Sequence, residues 1–387
     1  MIQTDANPPS PEFLTAFQRQ AGVGGVMSFA GFMELALYHP AAGYYARRRR
    51  RIGREPDADF FTATSLGPLF GELVAAAGAD LLGPRPPGGY AFVEIGVERS
   101  TETIPWTPGH ASSPRIHSVD GVGACLQAIP PGQSRASSLL HAHGAGDDPQ
   151  RGTGGVLAGV AHPFAAATAI SLGQPLTLPP RAVVFSNELF DAQPCHRLVR
   201  HEGHWHEIGV ALHGHTLQEV LLPDPSPEVR AANGRLPAAA PEGYRIDLPL
   251  AAARLAAQIA AQPWTGLFVA FDYGKSWREL TEGTPAGTAR AYARHRQSGD
   301  LLAQPDEQDL TCHICWDWLT EALLAHGFTA PVLESQEAFF VHHAAPVLSR
   351  LAAAEAGRFS SRKLGAMQLL HPGNMGQKFQ VLWARRD

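Results

Sequence analysis

The sequence predicts an α/β fold, a mostly parallel sheet with helices on both faces, on three observations. The short runs YAFV (90–93), AVVFS (182–186) and GLFVAF (266–271) are apolar without alternation, as strands buried on both faces are. Each run ends abruptly in polar residues. Segments of helical period alternate with them, the pattern of a sheet covered by helices.

Taken in order, residues 11–46 read as helix and then turn, because FMELALYHP spaces its apolar side chains helically and Pro40 and Gly43 stop it. Arg47 to Arg51 are five consecutive arginines, a solvated charge run or an attraction for an acidic partner. Residues 59–82 read as an extended piece feeding a helix, with Thr62, Thr64 and Ser65 as candidate caps. GPRPPGG turns the chain into YAFVEIG, the first core strand. From 97 to 154 the periodicity dissolves into Ser, Pro, Gly and His, with RIHSVD (115–120) its one strand-like piece. Order returns through VLAGVAHPFAAATAISL to the second buried strand, AVVFS.

The stretch CHRLVRHEGHWHEIGVAL alternates about Glu202-Gly203, which predicts an inserted β-hairpin at about 195–222. A helix at PLAAARLAAQIAAQ leads to GLFVAF, the third buried strand. DLTCHICWDWLTEALLAHGF reads as a capped helix stopped by His326 and Gly327. The tail offers strands at EAFFVHH and KFQVLWARR with helical LSRLAAAEAG between them. This divides the chain into an N-terminal helical, acceptor-side region (1–86) and a core (87–387).

The 387 residues are enough for one large domain with insertions or two smaller ones. With 36 acids against 31 bases the net charge is −5, which argues against a nucleic-acid surface. No apolar run approaches the roughly 20 residues that cross a bilayer. The opening MIQTDANPPSPEF has no basic n-region or apolar h-region, so the expected location is the cytoplasm, away from membranes. Cys125, Cys195, Cys312 and Cys315 are too scattered to staple the chain. Cys312 and Cys315 form a lone C-x-x-C, read either as helix-start side chains or as half of a zinc or redox site. His204 and His206 share a strand face without a ligand-spaced partner, and no metal is expected.

In an open α/β sheet, ligands bind beyond the carboxyl ends of the strands. The residues there are Glu94 and Gly96, then Asn187, Glu188 and Asp191, then Asp272, Tyr273 and Gly274. Together with ALYHPAAGYY, DFFT…PLFGE, FVEIG, NELFDAQP, FDYG, GTARAY, DLTCH and MGQKFQVL, in that order, they make the chain resemble the MidA-like class I S-adenosylmethionine-dependent methyltransferases over most of its length. These are relatives of the mitochondrial complex I assembly arginine methyltransferase.

The resemblance implies a Rossmann-like class I core, S-adenosyl-L-methionine as cofactor and a protein acceptor, with arginine as the target. It implies Glu188 and Asp191 as catalytic carboxylates that could orient a guanidinium. It implies Glu94, Gly96, Arg99, Asp120 and Asn187 on the cofactor, with Asp120 ending the strand after YAFV. Tyr44, Thr62, Asp272 and His313 fall to the acceptor side. The sequence departs from the family at the first loop, where Glu98 and Ser100 stand for glycines, and at Thr64, Ser65 and Gly67. That departure supports an alternative, a catalytically impaired methyltransferase-fold protein acting as a binding or assembly factor.

Overall fold

The computed structural model describes residues 8–21, 24–46, 63, 68–96, 163–170, 175–357 and 360–387. The five-arginine run, the caps Thr62, Thr64 and Ser65, the segment 97–154 with Arg99 and Asp120, and Gly67 lie outside these residues.

The chain runs through α1 (Pro11–Ala21), β1 (Val26–Ser28), α2 (Phe29–Tyr38) and α3 (Pro68–Leu81). Next come β2 (Ala91–Ile95), β3 (Ala166–Ile170), β4 (Arg181–Asn187), β5 (His196–His201), β6 (His204–His213), β7 (Thr216–Leu221), α4 (Pro227–Ala232) and β8 (Arg245–Leu248). Then follow α5 (Leu250–Ala261), β9 (Thr265–Asp272), β10 (Gly274–Lys275), α6 (Trp277–Glu282), β11 (Arg290–Ala293), β12 (Arg296–Ser298), β13 (Asp309–Thr311) and β14 (Ile314–Cys315). The chain ends with α7 (Trp316–Ala325), β15 (Thr329–Ser335), α8 (Gln336–His343), α9 (Ala345–Ala354), α10 (Ser361–Leu370) and β16 (Gln380–Arg386).

Among the described residues the principal sheet has six strands in the order β15-β16-β9-β4-β2-β3. Strands β3, β2, β4 and β9 are parallel, while β16 runs antiparallel to both β9 and β15. Val93, Val184, Phe268 and Ala384 form one row across it by register. They face a core shared with α1, α2, α5 and α7. Phe92, Val183, Phe185, Leu267, Val269 and Phe271 face the opposite core, closed by α3, α8, α9 and α10. Burial on both faces is why these runs lack alternation.

A second, antiparallel sheet, β1-β6-β5-β8 with β7 beside β6, holds the inserted strands. Glu202 (φ 49°) and Gly203 (φ 75°) are both left-handed, the geometry that joins two strands through a type I′ turn. This sheet captures the N-terminal region through β1, which pairs with β6 from Val26↔Ala211 to Ser28↔Gly209. The expected single run of helix and turn over 11–46 is therefore broken by a strand at 26–28.

One further expectation is corrected. EAFFVHH is not a strand: it lies in α8, and the strand is the preceding β15. The Ser335 hydroxyl caps α8 by accepting from the Ala338 N–H at 3.2 Å. Phe339 and Phe340 pack on Phe271, with ring centroids 5.2 and 5.5 Å away. Burying each ring is worth roughly 2–3 kcal/mol, which outweighs a β preference spanning about 1 kcal/mol. The strand beside β2 on its outer side is Ala166–Ile170, in register from Ala91↔Ala166 to Ile95↔Ile170. The expectation that Asp120 ends the strand after YAFV falls on residues outside those described.

Candidate functional site

The carboxyl ends of β2, β4 and β9 lie side by side, because the three strands are adjacent, parallel and in register. Neighbouring strands are about 4.8 Å apart, so Gly96, Asn187 and Asp272 share one short edge. Gly96 turns at φ 93°, a conformation that favours glycine, and donates its N–H to the Ile170 carbonyl at 2.8 Å. Glu94 is buried two residues before it.

The turn after β4 is unusual. Glu188 sits at φ 50° with its N–H donating to the Phe271 carbonyl at 2.9 Å. Left-handed backbone at a non-glycine residue costs about 1–3 kcal/mol and persists only where the surroundings impose it. Here they do. The Asp272 carboxylate accepts from the Phe190 N–H (2.8 Å) and the Asp191 N–H (3.3 Å) with one oxygen, and from the Tyr273 N–H (2.8 Å) with the other. The Gln193 amide donates to the Leu189 carbonyl at 2.9 Å. The Asn187 amide donates to the Glu188 carboxylate at 3.2 Å. Asn187, Glu188, Asp191 and Asp272 are all buried, so two acidic side chains and an amide are concentrated on one strained turn.

The back of this turn is tied to elements far away in sequence. The Tyr38 hydroxyl donates to the Ala192 carbonyl at 2.8 Å, and the Cys312 N–H donates to the Asp191 carbonyl at 2.9 Å. Tyr38 stacks on Tyr45 with centroids 5.5 Å apart, Tyr44 meets Tyr45 edge-on at 5.0 Å, and the Tyr45 hydroxyl donates to Asp309 at 2.8 Å. Tyr44 is thus part of a buried aromatic cluster. The sequence reading missed Tyr38, Tyr45 and Asp309, although three tyrosines within ALYHPAAGYY were a visible signal.

GTARAY also acquires a physical role that its letters did not disclose. The Asp247 carboxylate accepts from the N–H groups of Thr288 and Ala289, the latter at 2.7 Å, and from Arg197 Nε at 2.8 Å. Gly287 has φ 74°, and a Cβ there would lie 2.5 Å from Asp247 Oδ2, so only glycine fits. The Thr288 hydroxyl in turn accepts from the His313 N–H at 3.2 Å. The next residue, Ile314, donates to the Tyr273 carbonyl at 3.0 Å, which brings His313 beside the end of β9. Burial, helped by the nearby cations Lys275 and Arg290, pushes the His313 imidazole down to about 4, so it is neutral at pH 7.

The two cysteines of C-x-x-C differ from a thiolate pair. The neighbouring Cys195 thiol and burial hold Cys312 well above the usual thiol range, and burial pushes Cys315 up to about 12. Both stay protonated, which disfavours metal or redox use. Cys315 opens α7 without a side-chain cap.

Of the candidate residues, then, the structure gathers Glu94, Gly96, Asn187, Glu188, Asp191 and Asp272 at one sheet edge, with His313 beside it. Tyr44 belongs to the aromatic cluster behind the turn. Arg99, Asp120 and Thr62 lie outside the described residues. A cleft of about 750 Å³ lined by Arg197, Glu219, Arg245, Arg290 and Asp300 is elsewhere, and none of the strand-tip residues lines it.

Residues 170–333 match the sequence model of a family described as "Putative S-adenosyl-L-methionine-dependent methyltransferase". Two crystal structures from Burkholderia thailandensis are similar over nearly the whole chain. One, titled a "likely methyl transferase" bound to S-adenosyl-homocysteine, has a TM-score of 0.70 at 24% identity, covering 99% of this chain and 95% of that one. The other, a native structure of an uncharacterized protein of the same superfamily, has a TM-score of 0.69 at 21% identity with the same coverage, 99% and 95%. No curated protein matches the chain. The chain therefore has the mixed α/β fold of those Burkholderia thailandensis proteins, and its middle portion, from β3 to β15, matches the sequence pattern of a methyltransferase family.

Proposed function

We propose that this protein is an S-adenosyl-L-methionine-dependent methyltransferase with a Rossmann-like class I core and a site at the carboxyl ends of β2, β4 and β9. The observation that carries the reading is the strained turn 187–191, where the chain accepts a left-handed glutamate and buries two acids and an amide beside the Gly96 bend. The family match over 170–333 and the S-adenosyl-homocysteine held by the Burkholderia thailandensis relative support it.

The residues fit such a cofactor in kind. At Gly96 backbone rather than side chain meets whatever lies over the strand tip. Glu94, Gly96, Arg99, Asp120 and Asn187 form the cofactor side of the proposal. The cofactor supplies an electrophilic methyl group on a sulfonium; the chain must align the acceptor, exclude water and take up a proton. Glu188 and Asp191 are assigned those tasks, because two carboxylates on a rigid turn suit bidentate contact with a guanidinium. Thr62, Asp272 and His313 serve the acceptor side, and Tyr44 serves it from within the buried aromatic cluster that braces the turn. Asp272 acts there as a positioning residue, since its carboxylate organises the turn. Neutral His313 offers a hydrogen bond without repelling a cationic acceptor. The acceptor is a protein, with arginine as the target, the N-terminal region 1–86 is the acceptor-side unit of the chain, and the reaction belongs to the cytoplasm.

The second reading, a catalytically impaired binding or assembly factor, rests on Glu98 and Ser100 replacing loop glycines. Isothermal titration with S-adenosylmethionine, followed by transfer of a labelled methyl group to arginine-containing peptides, separates the two. The enzyme reading expects saturable binding, and transfer that falls on the order of 100-fold in Asp191→Asn and Glu188→Gln while binding persists. No binding at millimolar cofactor ends it and leaves the assembly reading.

A further inference from the structure

We propose that Glu334, His342 and His343 form a divalent-metal site of the zinc class, on the face of the molecule carrying α3, α8 and β16 and independent of the methyltransferase reading. Glu334 lies near the end of β15, and the two histidines close the last turn of α8. One ligand atom from each lies within 4.8 Å of the others. His342 Nδ1 is 2.6 Å from Glu334 Oε1, and His343 Nε2 is 3.3 Å from Glu334 Oε2. Two ligands bound at about 2.0–2.2 Å to one tetrahedral ion are about 3.4 Å apart, so the second pair already has that separation.

Two outer contacts orient the ligands. His343 Nδ1 faces Asp80 Oδ2 of α3 at 2.9 Å, the carboxylate–histidine arrangement that turns the other ring nitrogen into a lone-pair donor. Trp383 Nε1 of β16 donates to Glu334 Oε2 at 2.9 Å and fixes that carboxylate. Both ring nitrogens of His343 face carboxylate oxygens, Nδ1 that of Asp80 and Nε2 that of Glu334, so in either neutral tautomer one lone pair faces a carboxylate. A lone pair facing a carboxylate requires a positive centre between them, either an extra proton or a metal cation. The His342 side is 58% exposed, while His343 and Glu334 are 17% and 13% exposed, so water can complete the coordination sphere. Two histidines, one bound carboxylate and water form a recognised zinc donor set. The ion would join β15 and α8 directly, and α3 and β16 through Asp80 and Trp383.

The test is titration of the chelator-stripped full chain with zinc chloride, repeated in two buffers of different ionisation enthalpy, with thermal unfolding in parallel. The chain has 18 histidines, so the readout is the difference from variants rather than binding alone. Wild type should bind one equivalent more than His342→Gln or Glu334→Gln, release protons on binding, and gain thermal stability that both variants lack. Asp80→Asn should retain the site with affinity weakened about 10–100-fold. His342→Gln alters an exposed side chain, so its folding is a safe reference even if Glu334→Gln is destabilised. Equal stoichiometry, affinity and thermal gain in wild type and His342→Gln would overturn the proposal and leave the cluster a protonated hydrogen-bond network.

Discussion

Removing the Asp247 carboxylate should be among the most damaging single changes in the antiparallel part of the molecule. Asp247 is 1% exposed and holds three things at once: Arg197 Nε and the N–H groups of Thr288 and Ala289. Arg197 is itself only 4% exposed. Despite burial, which lowers it most, its guanidinium is held above the ordinary arginine value by Asp247 and then Glu219. Breaking a buried pair by deleting one partner costs about 3–5 kcal/mol, because an uncompensated charge remains. Each orphaned buried N–H adds about 1–3 kcal/mol where water cannot reach it.

Asp247→Ala should therefore lower stability by about 5 kcal/mol, the low ends of the pair cost (about 3) and of two orphaned N–H groups (about 1 each), since the site relaxes around the deletion. Glu219, the second partner of Arg197, is 30% exposed and should cost less than about 1 kcal/mol on replacement by alanine. The double variant Arg197→Met/Asp247→Leu should recover only part of the loss, since the N–H groups of Thr288 and Ala289 stay unpaired. Urea titrations followed by circular dichroism give the midpoint and slope for each variant. Equal losses for Asp247→Ala and Glu219→Ala, or full recovery in the double variant, would refute the claim that Asp247 chiefly anchors GTARAY.

Gly287→Ala should lose about 2 kcal/mol by urea titration, since it combines left-handed backbone strain with a Cβ 2.5 Å from Asp247 Oδ2. His313 gives a pH signature. Its folded-state value of about 4 lies below the ordinary 6.5, so the unfolded chain binds more protons between them, and stability present above pH 6.5 is lost as pH falls toward 4. The loss is on the order of 3 kcal/mol, and His313→Gln should flatten that part of the stability–pH profile. Glu202→Asn should raise the free energy of unfolding by about 0.5–1 kcal/mol, and the urea midpoint with it, because position 202 is exposed at φ 49° and Asn tolerates that region better than Glu. An unchanged or lower midpoint would count against the turn assignment.

What the sequence determined by itself is local. Unbroken apolar runs marked β2, β4 and β9, Glu202-Gly203 marked a hairpin, and His326-Gly327 marked the end of α7, because strand burial and turn conformation are set by neighbouring residues. EAFFVHH was misread for the complementary reason. Its β preference is local, whereas the packing of Phe339 and Phe340 on Phe271 is not, and the second effect is larger. Tertiary structure alone decided that Ala166–Ile170 borders β2, since pairing a short strand depends on a partner far away in the chain. It alone joined Tyr38 to Ala192, Tyr45 to Asp309 and Asp247 to GTARAY. Buried polar groups must find partners wherever the fold brings them, 264 residues away for Tyr45 and Asp309, so the residues that shape the candidate site were legible as letters but not as contacts.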